Sequence, residues 1–249
     1  MTDLILNRPN THSIAYTYIP GQKNKCVLYL HGWTAQRKSP KGQAIMETAI
    51  QNQCGYLSLD YTAHGESGGS PHDFTIGQGI TDVTDVIRNV IPDTPLIVVG
   101  NSIGGWFGLW VAEQLPQVKG FIGLAPAPDI TQIIWDRLLP DYAKAELNKD
   151  NILGPSSETH GFCFTRKLFE EAQSYFMLHR PIKINHPVRL IIGDKDDQVE
   201  MDRLIKIKDC VTSDDVTTLI IKGANHHLSD INSLSIIRQT LEQLLRGRE

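Results

Sequence analysis

The stretch Gly100-Asn101-Ser102-Ile103-Gly104 sets a serine between two glycines, each two residues away. Glycines at those distances let a chain turn tightly enough to expose the serine hydroxyl, which is what a nucleophilic serine requires. The pentapeptide alone carries little weight. With Gly and Ser each near ~7% of residues, a chain of this length contains the pattern by chance about one time in twelve. Serine in a glycine-rich turn is also a good helix N-cap. The surroundings therefore decide.

A serine hydroxyl attacks a carbonyl only when a base takes its proton and a carboxylate orients that base. Two later segments supply both groups. One is Gly193-Asp194-Lys195-Asp196-Asp197-Gln198-Val199 and the other is Lys222-Gly223-Ala224-Asn225-His226-His227. Acid and base thus follow the serine in the order Ser, Asp, His, which one serine-triad arrangement uses. Asp194, Asp196 and Asp197 are the candidate acids, and His226 and His227 the candidate bases. An Asp that is not the acid has the ordinary role of bonding loop N–H groups. The acidic cluster lacks the sixth-position Gly and the distant Glu of a Ca²⁺-binding loop.

The transition state also needs two backbone donors for its developing oxyanion. The N–H of Ile103, directly after the serine, is one. The loop His31-Gly32-Trp33-Thr34 offers the other, and the N–H of Trp33 is the best placed because His31-Gly32 forms the turn that aims it. His31 itself is expected to shape this loop. In Asp60-Tyr61-Thr62-Ala63-His64-Gly65-Glu66-Ser67, Asp60 and Ser67 are expected to hold a turn, and His64 sits on the wrong loop for the triad order. The remaining histidines (His12, His72, His160, His179, His186) show no metal-ligand spacing, so neither metal nor cofactor is expected.

These groups need a scaffold that holds them at the ends of strands. Short apolar runs recur at 26–30, 56–59, 96–99, 121–124, 188–192 and 218–221. Most are continuously apolar, as burial on both faces of a parallel sheet demands. The more polar run from Ser13 to Ile19 reads as an antiparallel edge strand. Ile76, Ile80, Val83, Ile87 and Val90 place one apolar stripe on a helix, and Leu234, Ile237, Leu241, Leu244 and Leu245 repeat the pattern near the C-terminus. Ser102 follows one strand and precedes the helix beginning near Trp106. The alternation predicts one α/β domain over residues 1–249 with helices on both faces.

One segment breaks the rhythm. About residues 129–187 separate two strands, far more than a crossover needs. They carry Trp135, Leu138, Leu139, Phe162, Phe164, Phe169, Tyr175, Phe176 and Met177, and are interrupted by Pro140, Gly154, Pro155, Gly161 and Pro181. The segment reads as several short helices forming an inserted lid. An extra helical layer with inward-packed aromatics is the plainer description, and the two are compatible.

Composition excludes several classes. The 249 residues are 41% hydrophobic and 21% charged with a net charge of −4, so nothing points to nucleic acid or anionic lipid as partner. No apolar run approaches the ~20 residues of a membrane span. The first residues lack a signal-peptide pattern and an Arg-rich transit pattern, so cytoplasm is the expected compartment; a trimmed organellar form would read the same. Cys26, Cys54, Cys163 and Cys210 contain no Cys-x-x-Cys pair and are expected to be buried thiols.

Taken together, His31-Gly32-Trp33, Asp60-Tyr61-x-x-His64-Gly65-x-Ser67, Gly100 to Trp106, Gly193 to Val199 and Gly223-Ala224-Asn225-His226 resemble the α/β-hydrolase superfamily over nearly the whole chain. The resemblance implies an α/β-hydrolase fold, a mostly parallel twisted sheet with an inserted helical lid. In the family pattern the acid lies three residues after the glycine and three before a valine, which is Asp196. The histidine follows a Gly-x-x step, which is His226. Ser102 to Trp106, residues 179–190 and Gly193 to Asp197 are also similar to a narrower group. It comprises a mitochondrial palmitoyl-protein thioesterase that also cleaves an acyl glucuronide, and short bacterial proteins like it.

That resemblance implies hydrolysis of S-acyl cysteine thioesters or acyl esters by Ser102, His226 and Asp196. The expected partner is a small acyl ester or an S-acylated protein. A peptidase of the same fold would need charged anchors for peptide termini, and the lid shows no obvious acidic pair for an amino terminus. A non-catalytic ligand-binding member would be expected to have lost a triad residue, and none is lost here.

Overall fold

All five residues of Cys26–Leu30 are buried, so this strand must be covered on both faces. A parallel sheet sandwiched by helices provides that cover. The computed structural model describes residues 3–9, 11–156, 159 and 162–246. In chain order the core elements are β1 (Leu4–Leu6), β2 (Ile14–Ile19), β3 (Cys26–Leu30), α1 (Pro40–Gln51), β4 (Gly55–Leu59), α2 (Ile76–Val90), β5 (Leu96–Asn101), α3 (Ile103–Gln114) and β6 (Val118–Leu124). There follow α4 (Ile130–Ile133), a π-helical turn (Ile134–Leu138), α5 (Asp141–Asp150), β7 (Ile152–Leu153), β8 (Phe164–Thr165) and α6 (Arg166–Ala172). The chain returns to the core with β9 (Val188–Gly193), α7 (Met201–Cys210), β10 (Val216–Ile221) and α8 (Ile231–Arg246).

The main sheet runs β1-β2-β4-β3-β5-β6-β9-β10. From β4 to β10 every neighbouring pair is parallel, and β2 pairs antiparallel with both β1 and β4. The α/β-hydrolase architecture is therefore the one expected, with two corrections at the rims. The run from Ser13 to Ile19 is not the edge: β1, only three residues long, lies outside it. At the other rim β10 is an edge strand and mostly half-exposed, with Ile220 at 53% exposure, unlike its fully buried counterparts. Two thiols also depart from expectation: Cys26 and Cys54 are buried, but Cys163 and Cys210 are half-buried.

Register fixes where the loops leave. Leu30 stands opposite Gly100, Asn101 opposite Leu124, and Gly193 opposite Ile221. The loops after β3, β5, β6, β9 and β10 consequently emerge along one edge of the sheet, where ligands bind in open parallel sheets. α3 carries Trp106, Phe107 and Leu109 fully into the core.

The described part of 129–187 forms the expected short helices, with an antiparallel pair of β7 and β8 between them that the sequence did not announce. Asp129 closes the segment on itself, and side-chain bonds to Trp106, Gly77 and Glu113 tie it to the core. Asp129 accepts the N–H groups of Met177 and Leu178, each at 2.8 Å. Trp106 Nε1–H donates to the Tyr175 carbonyl at 3.1 Å. Gly77 N–H donates to Glu171 at 3.1 Å, and Arg180 forks onto Glu113 at 2.6 and 2.8 Å. His160 and Gly161 lie outside the described residues.

Candidate active site

Ser102 occupies φ 53°, ψ −120°, a left-handed conformation that costs a non-glycine residue energy. The turn is tight enough to explain its glycines. A Cβ on Gly100 would meet the Gly104 carbonyl oxygen at 2.4 Å, and one on Gly104 would meet the Leu30 and His31 carbonyls at the same distance. Ser102 is held by its backbone: its N–H donates to Leu124 at 2.9 Å, and its carbonyl accepts from Gly105 at 2.8 Å and Ala127 at 3.0 Å. The side chain is thereby left half-exposed above the sheet.

Its neighbour is His226. Nε2 of His226 lies 3.2 Å from Ser102 Oγ, and on the ring's far side Nδ1–H donates to Asp196, 2.9 and 3.0 Å from its two oxygens. The three expected residues, separated by up to 124 positions, are brought into one line. Asp196 is fixed from behind by the N–H groups of Gln198 (2.9 Å) and Val199 (2.8 Å). Burial works against its charge, but the bonds from His226 and from these two amides outweigh it and hold its carboxyl below the usual carboxylate range.

Three competing residues fall elsewhere. Asp194 accepts the Gly223 N–H at 2.6 Å and Lys195 N–H donates to Ala224 at 2.9 Å, stitching the loop after β9 to the loop after β10. Asp197 and His227 are exposed. The two loops touch closely at Gly193, where a Cβ would lie 2.0 Å from the Ala224 carbonyl oxygen.

The loop after β3 passes over the serine. A Cβ on Gly32 would lie 3.3 Å from Asn101 Oδ1 and 3.4 Å from Ser102 Cβ. The N–H groups of Trp33 and Ile103 donate to no acceptor among the described residues. That of Ile103 opens α3, where helix geometry leaves donors free and the dipole favours an anion. The loop is braced from below: Tyr61 O–H donates to the His31 carbonyl at 3.0 Å, and His31 Nδ1–H to the Gly32 carbonyl at 2.8 Å. His31 is fully buried, and burial pushes its imidazole down to about 3, so it stays neutral and shapes the loop. His64 is buried against His31 and Phe74.

Asp60 and Ser67 hold their turn as expected, with Ser67 O–H donating to the Asp60 carbonyl at 2.6 Å. Arg37, which the sequence did not flag, does more. It is buried, its N–H donates to Asp60 at 2.8 Å, and its guanidinium binds Asp60 and Glu66. Lys41 was also missed: its buried ammonium donates to the carbonyl of His227.

Known proteins share this arrangement of elements. The alpha/beta hydrolase fold family matches residues 25–248. Human palmitoyl-protein thioesterase ABHD10, mitochondrial, is 30% identical over 244 residues, which cover 96% of this chain and 79% of that protein. Among solved structures, a putative hydrolase from Agrobacterium vitis S4 is similar with a TM-score of 0.90 at 25% identity, covering 98% of both chains. Mouse alpha/beta hydrolase domain-containing protein 10 is similar with a TM-score of 0.87 at 25% identity, covering 99% of both. By sequence match over most of its length and by the order of its strands, the chain belongs to the α/β hydrolase fold family.

Proposed function

We propose that this protein hydrolyses acyl esters or thioesters through an acyl-enzyme on Ser102. One observation carries the reading: Ser102 Oγ lies 3.2 Å from His226 Nε2, while His226 Nδ1 lies 2.9 Å from Asp196. In this reading Nε2 takes the hydroxyl proton as Oγ attacks the acyl carbonyl. The carbonyl oxygen becomes an anion that accepts the N–H groups of Trp33 and Ile103, each such donor contributing ~3 kcal/mol to the transition state. The tetrahedral centre then collapses, the imidazolium gives its proton to the departing alkoxide or thiolate, and the acyl group stays on Ser102. Water attacks by the same route in reverse and releases the acid. Asp196 stays ionised throughout, fixing the tautomer and stabilising the imidazolium.

Residues 129–187 act as a lid on a single hydrolase domain in this scheme. Phe162 and Phe164 reach the oxyanion loop through Trp33, which supports an apolar acyl group as the part of the substrate that the lid meets. A relative named palmitoyl-protein thioesterase supports an S-acyl substrate, with small acyl esters as the accessible surrogates. Among the described residues no helix is long and apolar enough to cross a membrane.

The test is a panel of p-nitrophenyl esters and acyl thioesters of increasing chain length, run on wild type and Ser102→Ala. Turnover by wild type, lost with Ser102→Ala together with fluorophosphonate labelling, is expected. No turnover on any chain length and no labelling of wild type would overturn the reading.

A further inference from the structure

Lys41 stands where a lysine is doubly disfavoured. It is 6% exposed, and an ammonium removed from water needs strong compensation. It also follows Pro40 in the first turn of α1, whose N-terminal dipole repels a cation. Its described hydrogen-bond partner is one backbone carbonyl, that of His227, on the loop that carries His226. The other group that acts on it is Asp196, across the same loops.

The neighbouring charges on and before α1 are engaged elsewhere. Arg37, before α1, is taken up by Asp60, Glu66 and Asp3. Glu47, further along α1, pairs with Arg238 of α8 at 2.7 Å. From the loops after β9 and β10 the groups that face Lys41 are Asp196 and the His226–His227 segment. Burial pushes its ammonium down to about 8, with Asp196 drawing it back up, so it is charged at neutral pH.

Resting on the triad reading above, we propose that Lys41 is a positioning residue for His226. Its ammonium anchors the His227 carbonyl and places a positive charge behind the Asp196–His226 pair. The anchor restrains the loop so that Nε2 faces Ser102. A helix N-terminus can tolerate a methionine of the same length far more easily, so the fold itself gives no reason for a lysine here.

The test uses the full chain and compares wild type, Lys41→Met and Lys41→Arg by kcat and KM separately, normalised to sites labelled by fluorophosphonate. Lys41→Met is expected to lower kcat/KM about tenfold, since small misplacements of a base are costly. The loss is expected in kcat with KM unchanged, and Lys41→Arg is expected to return kcat towards wild type. A merely structural lysine would change the melting temperature and leave kcat per labelled site in place. An unchanged kcat per labelled site in Lys41→Met overturns the inference; Lys41→Gln is measured the same way should Lys41→Met fail to fold. Wild type that neither turns over nor labels would instead sink the triad reading, so the two failures are distinguishable.

Discussion

The ring of Phe162 lies 4.9 Å from that of Trp33, with 57° between the ring planes. Trp33 thus faces two ways. Its backbone N–H has no acceptor among the described residues, and its indole is gripped by Phe162 and Phe164 from residues 129–187 and by Phe74 from the core. Removing Phe162 leaves the N–H in place but loosens the ring that aims it.

Phe162→Ala is therefore expected to lower kcat on a short ester such as p-nitrophenyl acetate about fivefold. An aromatic pair contributes roughly 1 kcal/mol, which is about that factor in rate. KM for so short a substrate should hardly change. Steady-state kinetics decide, and a rise in KM at constant kcat would make Phe162 a substrate contact instead.

Asp196 and Asp197 are adjacent and identical in chemistry, yet the side chain of Asp196 is 1% exposed and bonded to His226, while Asp197 is exposed. Asp196→Asn is expected to lower kcat by about 10⁴ at neutral pH, because an amide no longer fixes the His226 tautomer. Asp197→Asn should stay within about twofold, as surface changes usually do. Equal losses in the two variants would mean that the loop as a whole, and not one carboxylate, supports the base.

Much of this was legible in the sequence because it is local. The runs at 26–30 and 96–99 are apolar without interruption, and the strand-turn-helix around Ser102 lies within a dozen residues. The rims were less legible. β1 is three residues long, too short for a pattern, so the strand beside it read as the edge. β10 has the composition of a buried strand although its outer neighbour is missing, and sequence does not encode how many strands a sheet will have. Arg37 and Lys41 were invisible for another reason: their partners lie 23 and 186 positions away, and a single cation in a loop or first helical turn reads as surface. The acid came from a family pattern and not from residue chemistry, since three aspartates share four positions.

The buried imidazole of His31 ties stability to pH. Its folded value is pushed by burial from 6.5 down to about 3. Between those values the unfolded chain binds the proton and the native state does not, so stability rises with pH and is lost as pH falls below 6.5. At pH 5 the loss relative to neutral pH is about 2 kcal/mol from this residue. Burial lowers His64 in the same direction. Urea unfolding at pH 7 and pH 5 should register the drop in wild type, and His31→Gln should shrink it by that amount. A variant with an undiminished drop would assign the acid sensitivity to other groups.

Asp129 joins the end of β6 to the return of the 129–187 segment. It is buried, adopts φ 57°, and bonds the N–H groups of both Met177 and Leu178. It stands two residues beyond Ala127, whose N–H holds the Ser102 carbonyl. Asp129→Ala would leave two amides unpaired and put alanine in a left-handed conformation. The combined cost is about 2–4 kcal/mol, measurable by chemical denaturation. Asp129→Asn keeps one acceptor and tolerates that backbone, so it should lose less. Hydrogen exchange at the amides of 177 and 178 should accelerate in Asp129→Ala before global unfolding does, because these two N–H groups depend on one carboxylate. Unchanged protection there would show that packing of Met177, and not the Asp129 carboxylate, fixes the return of the segment.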